Sequence, residues 1–205
     1  MMQGTPYVYQ GEELGMTNIY FDKLEDYRDI ESLHYFTELT ESSRLTPEYM
    51  MKCLMLRSRD NARTPMQWTD GENAGFTTGT PWLKVNSNYT DINVKNQEAD
   101  EHSVLNYYRK LIALHKSEEY KNLFTYGEFI PVYDDTESIM AFYRKDESKC
   151  VLIAANFGKE PASVILKSQA ARILLSTRPD DSVQIDTTSA QKLTLDSCEA
   201  VVIEL

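Results

Sequence analysis

No stretch of this 205-residue chain is apolar over the length that a membrane-spanning helix requires. Its first residues, Met1-Met2-Gln3-Gly4-Thr5-Pro6, lack the basic segment and the following apolar segment of a secretion signal. No membrane partner is therefore expected. Basic residues are also in short supply: 21 Lys and Arg stand against 32 Asp and Glu, a formal net charge of −11. A surface of that sign repels phosphate, so no nucleic-acid partner is expected either. Cysteine is sparse. Cys53, Cys150 and Cys198 are odd in number, widely spaced and free of any C-x-x-C pairing. That pattern argues against a zinc site, and no metal or other cofactor is expected. Cys53 and Cys150 lie in apolar segments and read as small core residues. Few cysteines and an acidic balance fit a reducing, cytoplasmic compartment. No internal repeat is visible.

What is present is ordinary globular material, 41% hydrophobic and 26% charged. The length allows one large domain or two small ones. Thr5-Pro6-Tyr7-Val8-Tyr9 is a short β-rich run bracketed by Gly4 and Gly11, and it predicts a strand. Residues 14–28 show no period. Asp29 can cap a helix that runs to about Glu41, with Leu33, Phe36 and Leu39 apolar. Thr46-Pro47-Glu48 is a stronger start signal: a capping residue, a proline at the first helical position, then an acid. Met50, Cys53 and Leu54 follow at helical spacing, to about Arg57. Residues 58–100 are long, polar and irregular, and a loop of that length tends to be functional. In residues 101–117, Val104, Leu105, Tyr108, Leu111 and Ile112 form the clearest helical stripe.

From about residue 120 the pattern becomes that of strands. Apolar runs recur at 139–144, 150–155, 163–166, 172–175, 192–195 and 200–203, with no helix among them. Such spacing argues for an antiparallel sandwich. The run Cys150 to Ala155 is continuously apolar, as in a strand buried on both faces. The change of character places a domain boundary near residue 118, dividing the chain into 1–118 and 119–205.

Two segments carry a resemblance to a known family. Gly4-Thr5-Pro6-Tyr7-Val8-Tyr9-Gln10-Gly11-Glu12-Glu13 resembles the last barrel strand of the α-amylase family of glycoside hydrolases, with Gly4, Pro6, Tyr9, Gly11 and Glu13 meeting its pattern. Arg59-Asp60-Asn61-Ala62-Arg63-Thr64-Pro65-Met66-Gln67-Trp68 is similar to the segment that follows that strand in the oligo-1,6-glucosidase group. Tyr27-Arg28-Asp29-Ile30-Glu31-Ser32 and Asn73-Ala74-Gly75-Phe76-Thr77 match the same group in the same order. The resemblance implies an α+β chain: the last strand and helices of a (β/α)8 TIM barrel, residues 1–118, followed by an antiparallel β-sandwich domain, residues 119–205. A complete barrel of this kind takes about 250 residues, so the chain reads as the C-terminal part of a longer enzyme.

The resemblance also implies chemistry. Its members are retaining glycosidases that work with a nucleophile and an acid/base carboxyl group. These, and a third carboxylate that binds the sugar, lie on earlier strands in the family, and no carboxylate here sits in a matching motif. The expectation is that this chain alone does not cut a sugar. Binding apparatus remains. Arg59 matches the arginine that hydrogen-bonds the terminal glucose, and a guanidinium fork suits both sugar hydroxyls and a neighbouring carboxylate. Its bland alternative is a buried ion pair. Glu31 matches a residue near the leaving-sugar subsite; its alternative is a first-turn helix acid. Glu12 and Glu13 read as structural, since neighbours on an extended chain face opposite ways. Tyr9 is expected to point into a barrel or core, and Asp60 to pair with Arg63. Trp68 and Trp82 read as loop anchors beside Pro65 and Pro81. His34, His102 and His115 read as solvated.

Two other readings compete with the hydrolase. One is a carbohydrate-binding or interaction module. The other is a non-catalytic relative such as the barrel-bearing subunits of amino-acid transporters, against which the intact Arg59 segment argues. The expected partner is a glucosidic oligosaccharide, and an open-edged barrel strand is expected to favour self-association.

Overall fold

The computed structural model describes residues 1–178, 184–186 and 191–205. Two compact units are present, one of Val8–Asn106 and one of Met1–Tyr7 with Tyr107–Leu205.

In the first unit the start signals act as expected. Asp29 caps α1 (Ile30–Glu41) by accepting a hydrogen bond from the Ser32 N–H. Thr46 caps α2 (Pro47–Arg57), which begins on its proline. The inward positions Leu33, Phe36, Met50 and Leu54 pack with Phe21, Tyr27 and Leu83 in one apolar cluster. Phe21 and Tyr27 meet edge to face with ring centres 5.1 Å apart.

The segment 58–100 is irregular but ordered. It contains single turns at Arg59–Ala62, Glu72–Gly75 and Ser87–Thr90, and the short helix α3 (Val94–Ala99). Side-chain amides organise it. The fully buried Gln67 donates to the Ile92 carbonyl and to Asn88. Asn86 donates to the Thr17 and Asn18 carbonyls, and Asn93 caps α3. These bonds satisfy backbone groups that neither helix nor ladder serves.

Residues 5–9 depart from the strand expectation. They join no ladder, and the first strand among the described residues is β1 (Glu128–Val132). A strand exists by pairing with a neighbour, and residues 1–127 hold none to pair with. Tyr7 is accordingly 90% exposed.

In the second unit α4 (Val104–Lys116) ends and α5 (Lys121–Tyr126) precedes the strands. After β1 come β2 (Ile139–Lys145), β3 (Cys150–Asn156), β4 (Ala162–Ile165), β5 (Arg172–Ser176), β6 (Gln184–Asp186), β7 (Lys192–Leu195) and β8 (Ala200–Glu204). A five-stranded sheet in the order β1-β2-β3-β8-β5 faces a three-stranded sheet in the order β4-β7-β6, and every pairing is antiparallel. Period-two alternation splits the central strands between two cores. Leu152, Ala154, Val201 and Ile203 pack toward the small sheet with Leu193 and Leu195. Val151 and Val202 pack instead against Tyr120, Leu123 and Phe124 around α5. Burial on both faces explains the unbroken apolar run of β3.

Arg144 of β2 lies on that second face and is fully buried. It donates to the carbonyls of Leu123 at 3.2 Å, Gly127 at 2.9 Å and Met1 at 2.9 Å. Burial lowers its pKa from the usual arginine value. At the outer edge, Glu204 is shared between Lys149 at 3.2 Å and Arg172 at 3.0 Å, and Glu119 bridges the same two cations.

Candidate functional site

Arg59 and Glu31, separated by 28 positions, are in direct contact. Arg59 opens the turn that follows α2, and Glu31 sits in the first turn of α1. The Arg59 Nη2 lies 2.7 Å from Glu31 Oε2 and 2.9 Å from Asp29 Oδ1, and its Nε donates to the same Asp29 oxygen at 3.1 Å. Nη1 makes no hydrogen bond within the described residues. Arg59 is 57% exposed and Glu31 53%, whereas Asp29 is 5% exposed. The guanidinium is therefore anchored at one edge and open at the other.

Asp29 is the residue that the sequence reading used only as a helix cap. One carboxylate oxygen accepts from Ser32 N and Ser32 Oγ, at 3.1 and 2.8 Å, and the other takes both arginines, Arg59 and, at 3.3 Å, Arg63. Asp60, fully buried, holds the loop beneath. Its Oδ2 accepts the backbone N–H groups of Arg28 at 2.7 Å and Asp29 at 2.9 Å. Ser58 Oγ closes the ring by bonding Ser32 Oγ and accepting from Asp60 N. Arg63 stands 3.5 Å from Asp60 Oδ1, the pairing expected from the motif. A cap on α1 and a turn after α2 thus become one polar frame.

Burial alone would push the Asp29 carboxyl up. The hydrogen bonds from Ser32 and Arg59 outweigh it and hold the group below its usual value. The same contact, with Asp29 first and Glu31 behind it, raises the pKa of Arg59. Because the native value of Asp29 lies below the unfolded one of about 3.9, its contribution is complete above the unfolded value and is lost as pH falls through the native one. We expect Asp29→Asn to lower stability by about 1 kcal/mol at pH 7, a modest figure because Arg59 is half exposed. Asparagine still caps the helix through its amide oxygen but turns an amide donor toward Arg59 and Arg63. The difference therefore reports the lost charge and the lost acceptor of the arginine link together. Urea midpoints of the two proteins should stay apart from pH 7 to about pH 5 and converge below about pH 4. A gap that widens on acidification would contradict this assignment.

A cavity of about 230 Å³ opens beside this cluster, lined by Asp29, Glu31, Tyr35, Arg57 and Arg59 over Met50 and Leu54. A second of about 480 Å³ lies between Tyr9–Met16 residues and the end of α2, against Asn18, Leu56, Ser58 and Asn61. Tyr9 is 56% exposed and donates from its hydroxyl to the Ala62 carbonyl at 2.8 Å, so it ties the chain to the Arg59 turn rather than entering a core. Glu12 and Glu13 serve the turn itself, accepting from Tyr9 N and Gly11 N. Trp68 and Trp82 are 48% and 63% exposed, so neither ring is an anchor sunk in a core. His115 is half-buried, stacked on Phe124 at 5.6 Å, and burial lowers its pKa. Among the described residues no group of three His, Cys, Asp or Glu could hold a metal ion, and no helix is long and apolar enough to cross a membrane.

Comparison with known families decides the kinship. The α-amylase catalytic domain matches residues 1–127, and the C-terminal domain of the α-amylase SusG matches residues 139–202. The chain belongs to the α-amylase family. Within this family it is 43% identical, over 190 residues, to the oligo-1,6-glucosidase of Parageobacillus thermoglucosidasius, covering 90% of this chain and 33% of that protein. It is 45% identical over 159 residues to the trehalose-6-phosphate hydrolase of Escherichia coli K12, covering 78% and 28%. The crystal structure of isomaltulose synthase from Klebsiella sp. LX3 superposes with a TM-score of 0.88 at 34% identity, over 98% of this chain and 35% of that one. The chain thus spans about a third of the length of these α-amylase-family relatives, which are TIM-barrel enzymes. The catalytic-domain match takes in Glu31 and Arg59, and the second match takes in most of the sandwich.

Proposed function

We propose that this chain is the C-terminal part of a retaining, exo-acting α-glucosidase that cleaves α-glucosidic bonds in small oligosaccharides. In this reading Arg59 holds the terminal glucose, Glu31 borders the leaving sugar, and no catalytic carboxylate lies within the 205 residues. The observation that carries it is the state of Arg59. Two of its nitrogens are fixed by Asp29 and Glu31, and the open edge with Nη1 is left to donate to hydroxyls. A fork fixed in advance loses little freedom when a sugar arrives.

The carboxylates of the cluster suit this role better than bond cleavage. Retention needs a nucleophile and an acid about 5 Å apart. Asp29 has both oxygens engaged, and Asp60 is buried beneath the loop on two backbone N–H groups. The reading includes a division into a barrel portion, residues 1–118, and a β domain, 119–205. Family matches that end at residue 127 and begin at 139 support two parts, with the change falling after residue 127 rather than at 118. Exposed Tyr7 and Leu56 fit surface that other barrel segments, or a second copy of the chain, would cover. The names of the relatives span α-1,6-glucosides, trehalose 6-phosphate and isomaltulose. The proposal therefore stops at the α-glucosidic bond and does not choose a linkage.

The test is turnover of p-nitrophenyl α-glucoside. The purified 205-residue chain should release no nitrophenol, and the full-length enzyme that contains it should. Turnover by the chain alone would overturn the absence of catalytic acids. A full-length protein that binds glucose yet leaves the glucoside intact would overturn the glucosidase.

A further inference from the structure

A third cavity lies within the unit Val8–Asn106, apart from the Arg59 guanidinium. It is open, about 620 Å³, and sits between residues 26–28 and the segment 72–89. Trp82 lines it and is 63% exposed. The next residue, Leu83, is 2% exposed in the core around Phe21 and Tyr27. The backbone is thus pinned by Leu83 while the adjacent indole stays outside. A large apolar ring kept in water at a fixed place is a ready platform for the apolar face of a ligand.

The rim sets the class of ligand. Asp26 and Glu72 are matched by Arg28 and Lys84, with Lys84 Nζ 2.6 Å from Asp26 Oδ2. In a chain of net charge −11 this cleft is locally neutral. It offers neither the cationic pocket that a phosphate requires nor an acidic one for a cation. Neutral hydrogen-bonding groups fill the gaps: Asn73, Thr80 and Tyr89. Asn73 donates through Nδ2 to the Thr77 and Gly79 carbonyls, which fixes its amide. Asn73 and Ala74 both adopt left-handed backbone, at φ 50° and 56°, a costly arrangement for two consecutive non-glycine residues. The Ala74 carbonyl accepts from Trp68 N and Thr69 N, both at 2.9 Å, and holds the turn in that state. An aromatic platform with a neutral polar rim suits a pyranose, which has apolar C–H faces and an edge of hydroxyls.

We propose that the Trp82 cleft is a second carbohydrate-binding site, taking one uncharged glucosyl unit of an oligosaccharide by stacking on the indole. It is separate from the unit that Arg59 holds, and rests on the proposed function only for the choice of glucose. The two places share a frame, because Asp60 binds the backbone of Arg28, on the wall of the cleft, and of Asp29, which holds Arg59.

The test is titration of the 205-residue chain with isomaltotriose, by calorimetry and by tryptophan emission. The chain has two tryptophans, so in Trp68→Phe the emission reports on Trp82 alone. We expect a saturable emission change with a millimolar Kd that persists in Arg59→Ala, and, in the Arg59→Ala background, at least fivefold weaker calorimetric binding when Trp82→Ala is added, with partial recovery for Trp82→Phe. No saturable emission change from Trp82, or calorimetric binding in the Arg59→Ala background unaltered by Trp82→Ala, overturns the cleft. Binding lost in Arg59→Ala and kept in Trp82→Ala would place the sugar at Arg59 alone, which sinks this inference and leaves the proposed function standing. Glucose 6-phosphate binding tenfold more tightly than glucose to Arg59→Ala would overturn the neutral class of ligand.

Discussion

Replacing Arg59 by alanine will lower kcat/KM of the full-length enzyme on an α-glucoside by about 100-fold, with most of the loss in KM. Hydrogen bonds to a charged donor contribute about 1.5–3 kcal/mol each, and two of them at the low end of that range account for a loss of that size. In the proposed function the loss falls on KM, because Arg59 would grip the sugar away from the bond that breaks, so substrate and transition state would lose the contact alike. Lysine will not restore activity. Its ammonium is a point charge on a flexible stem and cannot satisfy Asp29, Glu31 and a sugar hydroxyl together, as the fork of Arg59 can. Asp29 complicates the measurement. At 5% exposure it would keep only Arg63 as a counter-charge, so the alanine protein will also be less stable. Kinetics should therefore be taken well below its melting temperature, with folding checked by circular dichroism. A folded Arg59→Ala enzyme with unchanged kcat/KM would remove Arg59 from substrate binding.

How far such a site can be read from residues alone depends on the range of the interactions that build it. The helix starts at Asp29 and Thr46 were legible because capping is local, and the strands β2, β3 and β8 because burial leaves a local apolar pattern. β1 was not, since Pro131 and Glu128 break its pattern. The strand tolerates them because it is the edge of its sheet, where a missing N–H costs no ladder bond on the open side. α5 has six residues, too few to show a helical period. The order within 58–100 comes from Gln67 and Asn86, whose partners lie 25 and 69 residues away. No local pattern marks such bonds.

The candidate site divides the same way. Arg59 and Glu31 came from a resemblance between motifs, not from spacing. Asp29 was visible as a cap, but its second task needs α1 and α2 to meet first. His115 misled because a histidine at the end of an amphipathic helix normally faces water. Here the ring lies on Phe124, and that contact is set by the short α5 that left no trace in the sequence.

Arg144 gives the largest stability effect expected. Its position in β2 alternates with Ala141 and Tyr143, so it must share a face with Phe142, which lies against Phe129 at 4.7 Å. A cation on that face, fully buried, has no carboxylate within reach among the described residues. What it has instead are three carbonyls, two of them at the C-terminal end of α5, the negative end of the helix dipole. A guanidinium is weakly hydrated for a cation, so carbonyl dipoles can offset its lost water where they could not for an ammonium. Methionine in its place keeps the stem and removes the three bonds, at a cost of about 2 kcal/mol. That is less than their sum, because the desolvation of the charge is relieved at the same time. Alanine adds a cavity and should cost about 4 kcal/mol. Lysine should fall no better than methionine, since a compact ammonium is harder to dehydrate and reaches fewer of the carbonyls. Urea unfolding of the three variants gives the order directly. If methionine proves as stable as arginine, the carbonyl cage is a tolerated burial and not a clamp joining β2 to the end of α5.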